Sequence, residues 1–318
     1  MGIYLLEPAF KDYIWGGTRL RDEYGKDCSY DKVAESWELS CHKDGPSVIS
    51  GSGMTLQELI DKEGRQILGT NCERFENFPI LIKLIDAKDN LSVQVHPDND
   101  YAMRVEGEYG KTEMWYVVDC DEGAELLYGF KHEISKEEFA QRIADNTLLE
   151  VTNNVPVHKG DVFFIKSGTL HAIGKGILIA EIQQNSNTTY RIYDYGRVGK
   201  DGKPRELHVE KAKDVTKLAP AETYPDTPVV QENGASIKLL SKCEYFTTYK
   251  VDIEEKAEFD ADDSSFVSLL ILEGSPVVTD GNSDPVSAKK GDSLFISAGT
   301  GRFTVEGSCS LILTKIDD

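Results

Sequence analysis

Two stretches of this chain, 131 residues apart by their aspartates Asp161 and Asp292, carry one turn–strand–turn pattern. Lys159-Gly160-Asp161-Val162-Phe163-Phe164-Ile165-Lys166-Ser167-Gly168-Thr169 matches Lys290-Gly291-Asp292-Ser293-Leu294-Phe295-Ile296-Ser297-Ala298-Gly299-Thr300 at seven of eleven positions without a gap. Each copy sets a Gly-Asp turn before an apolar run of strand length and a Gly-Thr turn after it. Duplication explains this better than chance, so the chain is expected to hold two related β units. Other short apolar runs, Pro79 to Ile85, Met114 to Val118 and Ile177 to Ile182, are bounded by turn residues. This suits a sandwich or barrel of short antiparallel strands. The class read from the chain is all-β, mainly β with a few short helices.

The helices are marked by their caps. Thr55-Leu56-Gln57-Glu58 and Ser135-Lys136-Glu137-Glu138 are capping-box patterns. The first predicts a helix with Leu56, Leu59, Ile60, Ile67 and Leu68 on its apolar face, ended by Gly69. A short turn is expected after Asp98, and 207–217 has helical composition. Residues 218–235 hold three prolines and few large apolar side chains, which predicts a linker. The expected units are 1–220, with small helical additions, and 236–318.

The formal net charge of −20 is spread along the chain, which argues against nucleic acid and anionic membrane as partners. An anionic substrate would therefore need local basic residues. None of the six cysteines forms a CxxC pair, so a reduced set is expected. The opening lacks the pattern of a signal peptide, and no apolar stretch reaches membrane-span length. These features predict a cytoplasmic chain.

Three segments read as parts of one metal site. Gln94 and His96 are two apart, so on a strand they face the same way. Glu113 offers a carboxylate, and His171 a second imidazole after the Gly168-Thr169 turn. His42, His132, His158 and His208 have no partner motif. Two imidazoles and a carboxylate suit zinc with an open position, and equally suit the iron(II) of an oxygenase. The second copy is not so equipped. Arg302 stands where His171 does, and aligning Gly123 with Gly274 puts Ser264 opposite Glu113.

These segments, with Ile14-Trp15-Gly16-Gly17, Ala34-Glu35-Ser36-Trp37-Glu38-Leu39-Ser40, Lys111-Thr112-Glu113-Met114-Trp115-Tyr116 and Thr188-Thr189-Tyr190-Arg191 to Arg197, closely resemble the type I, zinc-dependent, cupin-fold mannose-6-phosphate isomerase family in its short bacterial form. The resemblance covers most of 5–212 and implies two cupin (jelly-roll-like) domains, the second without metal. It implies one Zn2+ per chain on Gln94, His96, Glu113 and His171, and a catalytic role for Arg191. Lys111 and Glu181 match residues lining the pocket, and Lys83, Ser92 and Arg197 match residues suited to the substrate. Trp15, Trp37 and Trp115 read as core, with Trp15 the best exception as a sugar platform. The implied reaction is aldose–ketose isomerisation of a sugar phosphate through an enediol(ate), with Glu181 or a metal-bound water as base. An ion pair with Asp194 is the bland reading of Arg191. Two departures stand out: Ile14 replaces an acid common in relatives, and Gly174-Lys175 stands where longer members place an aromatic. An iron(II) oxygenase and a non-catalytic sugar-phosphate binder are the alternatives, and the chain is expected to be a monomer or homodimer.

Overall fold

The computed structural model describes residues 2–199 and 202–318. Strand parity organises it. Glu113–Cys120 turns Glu113, Trp115 and Val117 to one side and Met114, Tyr116 and Val118 to the other. The even-numbered side chains join a core with Ile80, Ile82, Leu84, Phe246, Phe266 and Phe295, whereas Trp115 and Val117 join a different core with Trp15, Ile85 and Ile179. A strand buried on both faces must lie in an inner layer, and four β layers are stacked accordingly.

The first sandwich pairs a six-stranded and a five-stranded sheet. The six-stranded order is Val162–Ile165, Glu113–Cys120, Ile177–Gln184, Ile80–Ala87, Glu35–Leu39 and Ala9–Lys11. The five-stranded order is Tyr190–Tyr193, Val93–Val95, His171–Ala172, Glu125–Phe130 and Thr152–Pro156. The outer face of the latter packs Val93, Val95, Tyr190 and Ile192 with Phe139 of the helix Lys136–Ala144 and Ala212 of the helix Val209–Val215. The second sandwich holds the eight-stranded and four-stranded sheets around Val251, Leu269, Leu294, Phe303 and Leu311. The mostly β class and the paired sandwiches follow the sequence reading.

Three particulars depart from it. Gly64, at φ +90°, ends the first helix at Leu56–Glu63, and a short 3-10 turn, Arg65–Leu68, carries on to Gly69. The predicted linker contains a strand, Val229–Glu232, hydrogen-bonded to Ala235–Lys242. Ile3–Glu7, from the start of the chain, pairs with Ser293–Ile296 in the eight-stranded sheet.

The repeat is structural as well as sequential. Gly160 N–H donates to Val117 O, and Val117 N–H to Asp161 O, at 2.8 and 2.9 Å. Gly291, Ile271 and Asp292 make the same pair of bonds at 2.7 and 2.9 Å. Both aspartates also accept a backbone N–H three residues back. Val117 therefore corresponds to Ile271, and Ile165 pairs with Glu113 as Ile296 pairs with Val267. Val267, not Ser264, stands at the Glu113 position. Gly168 N–H donates to His96 O as Gly299 N–H donates to Asp262 O, so Asp262 corresponds to His96. Arg302 lies at the His171 position, paired with Asp260 as His171 is with Gln94. The second unit thus replaces the His-Glu-His set by Asp262, Val267 and Arg302. The first unit is longer between these landmarks, and the extra chain includes the helices Asn99–Val105 and Lys136–Ala144. No helix among the described residues is long and apolar enough to cross a membrane.

Candidate metal centre and substrate cleft

The Gly168-Thr169 turn fixes both histidines. Its Gly168 N–H holds the His96 carbonyl, and its Thr169 carbonyl accepts the His171 Nδ1 proton at 2.8 Å. The His96 Nδ1 proton goes to Thr188 O at 3.0 Å. A carbonyl can only accept, so both rings carry the proton on Nδ1 and turn an Nε2 lone pair inward. Those Nε2 atoms are 3.1 Å apart. Two lone pairs facing at that distance call for a cation between them.

Glu113 completes the group. Its oxygens lie 3.6 Å from His96 Nε2 and 3.4 Å from His171 Nε2, and neither accepts a hydrogen bond of good geometry. An ion bonded at about 2.0–2.1 Å to tetrahedral ligands would set them roughly 3.3–3.4 Å apart. The observed spacings bracket that value, all three side chains are buried, and they form a group able to hold a metal ion. The donor set, two imidazole nitrogens and a carboxylate, fits zinc. Gln94 pairs in register with His171 on one side and Arg191 on the other, so these three side chains share a face.

The opposite wall is a row of charges. Trp37, Lys83, Glu181 and Trp115 are successive cross-strand neighbours on the six-stranded sheet. Trp115 Nε1 donates to Glu181 Oε2 at 2.8 Å, and Trp37 Nε1 to Glu35 Oε2 at 2.7 Å. The Lys83 ammonium sits 3.5 Å from Glu35 and 3.4 Å from Glu181. Lys111 follows, 3.6 Å from Glu181, 2.8 Å from Glu113 and 3.2 Å from His96 Nε2. Negative and positive groups alternate from Glu35 to Glu113.

Burial and the Glu181 charge push Glu113 up to about 7, whereas burial brings His171 down to about 4 and His96 well below its usual value. Burial also works to raise Glu181, but Lys111, Lys83 and the Trp115 N–H outweigh it and hold that carboxyl low.

The remaining candidates separate. Ser92 is buried just ahead of Val93–Val95. Trp15 is 3% exposed and packs with Ile85, Ala87 and Leu91, its ring 5.7 Å from Tyr13. Asp194 is not the close partner of Arg191. Its carboxylate is held by Arg197 at 2.5 Å and by Arg205 at 2.5 and 2.8 Å. Arg191 instead donates through Nη1 to Glu206 O at 2.9 Å, and its buried Nε has no hydrogen-bond partner. Burial, then Arg205, push its pKa down. Three residues escaped the sequence reading as site residues: Glu35, Arg205 and Tyr13. The Tyr13 hydroxyl is raised by burial, Glu35 and Asp44 and lowered by Arg205 and Arg191, so all four charges act on it. Glu35 lies in a quoted motif, the one signal that could have found it. Nothing in the spacing of Arg205 or Tyr13 marks them.

Comparison with known proteins agrees with this geometry. A model of the type I phosphomannose isomerase catalytic domain matches residues 3–125, and one of the mannose-6-phosphate isomerase cupin domain matches 236–316. The chain is 40% identical over 316 residues to a putative mannose-6-phosphate isomerase of Bacillus subtilis, covering 98% of each. It is 40% identical over 317 residues to the mannose-6-phosphate isomerase of Streptococcus mutans, again covering 98% of each. The crystal structure of mannose 6-phosphate isomerase from Bacillus subtilis superposes with a TM-score of 0.92 at 39% identity, over 99% of both chains. A zinc-bound mannose 6-phosphate isomerase, at 17% identity and TM-score 0.79 over 100% of both chains, shares the fold.

Proposed function

The chain belongs to the type I mannose-6-phosphate isomerase family, and from that membership we propose that it interconverts mannose 6-phosphate and fructose 6-phosphate. A proton moves between C2 and C1 through an enediol(ate). The observation that carries this reading is the convergence of His96, Glu113 and His171 beside an array of buried charges. One zinc ion held by Gln94, His96, Glu113 and His171 would supply Lewis-acid stabilisation of the substrate oxygens.

The chain's own groups share the rest of the chemistry. Glu181, kept ionised by Lys83 and Lys111 at 3.4 and 3.6 Å from its Oε1, is in the state a general base needs. Lys111 stands between Glu181 and Glu113, where it steadies the carboxylate and the developing negative oxygen. Arg191 is permanently charged and shares a face with Gln94, which suits it to stabilise the enediolate. Lys83, Ser92, Lys111 and Arg197 form the polar lining for the sugar phosphate, and Trp15 backs Tyr13 at the entrance. Residues 1–220 make the catalytic cupin-like domain, and 236–318 the metal-free one. The protein works in the cytoplasm as a monomer or homodimer, without nucleic acid or membrane partners.

The test is turnover of mannose 6-phosphate before chelation, after it, and after zinc is restored. Loss and recovery are expected. Full activity in metal-free protein would sink the zinc role. Binding of the sugar phosphate without turnover in the zinc-restored protein would make the chain a binding protein.

A further inference from the structure

The mouth of the first sandwich gathers three guanidinium groups around one carboxylate. Arg197 and Arg205 close on Asp194, and Arg191, near enough for Arg205, Asp194 and Arg197 to act on its charge, makes no ion pair with a carboxylate among the described residues. The local balance is strongly positive in a chain whose net charge is −20. Arg191 of this cluster shares a face with the metal group, because Arg191, Gln94 and His171 are consecutive cross-strand neighbours. Strands lie about 4.8 Å apart, so Arg191 begins roughly 10 Å from His171 across that face. Arg205, Arg191, Glu35 and Asp44 all act on the Tyr13 hydroxyl, so both signs of charge lie near it.

Arg205 presents one edge to Asp194, with Nε 2.8 Å from Oδ2 and Nη2 2.5 Å from Oδ1. That side-on pairing leaves Nη1 and one Nη2 proton for another acceptor. Arg197 is more fully committed, to the Asp194 side chain and carbonyl and to Asn90 O. The Arg205 side chain is 22% exposed, so it is within reach of a ligand.

We propose that Arg205, oriented by Asp194, binds the phosphate group of the substrate together with Arg191, and that this pair sets the preference for phosphorylated over free sugars. Arg197 acts mainly as the second arm that fixes Asp194. A planar guanidinium held on one edge keeps the other in register for phosphate oxygens, which a flexible lysine does not. The inference rests on the isomerase reading for its substrate, but the anion site can be tested without turnover.

Arg205→Gln and Arg205→Lys are compared with the parent for kcat and KM on mannose 6-phosphate and for the inhibition constant of inorganic phosphate at constant ionic strength. Arg205→Gln is expected to raise both KM and the phosphate inhibition constant about tenfold or more, with a smaller fall in kcat, and Arg205→Lys is expected to recover only part of this. Unchanged KM and phosphate inhibition, or a fall in kcat alone, would overturn the proposal. Should the variants not fold, the unmodified protein is treated with phenylglyoxal with and without inorganic phosphate, and Arg205 is mapped by mass spectrometry. Protection by phosphate supports the site, and an Arg205 signal indifferent to phosphate overturns it. If the zinc-restored parent does not turn over the sugar phosphate, the isomerase reading fails, and the protection result still decides the anion site.

Discussion

Glu113 is a carboxyl at odds with its surroundings: wholly buried, flanked by Glu181, and raised to about 7. A metal ligand must be ionised, so below pH 7 metal binding has to expel its proton. Metal affinity is therefore expected to rise with pH up to about 7 and then level off, with about one proton released per metal in the acidic range. The histidines do not add to this between pH 5 and 7, since His171 stays neutral down to about 4. Calorimetry in buffers of different ionisation enthalpy would read the proton, and release independent of pH would contradict the assignment. Arg191→Lys is expected to lower kcat about a hundredfold or more, because a fixed bidentate donor is lost where charge develops. The melting temperature should move little, because the side chain donates one hydrogen bond among the described residues, to Glu206 O. The His96-Glu113-His171 group is readable in the sequence from residue type and the turns beside it, and the two-residue spacing of Gln94 and His96 adds a shared face for those two. Arg205 is not readable. It earns its place only through Asp194, eleven positions away in a loop whose path no periodicity encodes.

Strands and turns position these groups through parity and close approach. Strand existence follows from apolar runs, and in the structure Trp115 and Glu113 share one face of their strand. The correspondence between the two units depends on which turn anchors it. The Gly123–Gly274 alignment slips by three residues, because those glycines close turns of different length, whereas the Gly-Asp turn is hydrogen-bonded identically in both units. The Gly174-Lys175 departure has a steric reason. A Cβ at Gly174 would lie 1.8 Å from Glu125 O, and Lys175 N–H is taken by Asn90 Oδ1 at 2.8 Å. Gly174→Ala is expected to cost about 1–3 kcal/mol in denaturant unfolding. It should also weaken metal binding, since the strand His171–Ala172 ends two residues before it. Wild-type stability in this variant would show that the turn can open without consequence.

At the scale of the whole molecule the two sandwiches share one apolar core, which joins the outer face of the six-stranded sheet to Leu270, Phe295 and Ile312. A buried ion pair pins the contact. The Lys26 ammonium lies 2.7 Å from Glu38 and donates to Gly291 O at 2.6 Å, in the Gly-Asp turn of the second unit. Lys26→Met leaves Glu38 buried and unpaired, and a loss of about 3–5 kcal/mol is expected, partly recovered in the double variant with Glu38→Gln. Calorimetry is expected to give a single unfolding transition, and two separated transitions would mean that the sandwiches melt independently. Within the predicted linker, the exposed strand Val229–Glu232 is held by backbone pairing to Ala235–Lys242 and not by burial. The position of Ile3–Glu7 carries a further consequence. That strand lies between Val48–Ile49 and Ser293–Ile296, and Gly2 N–H is held by Ser297 Oγ. During synthesis this strand can pair early with Val48–Ile49, but its partner on the other side is made nearly 300 residues later. Until then that side is an unclaimed sheet edge, the state in which nascent chains are most apt to associate wrongly or recruit a chaperone.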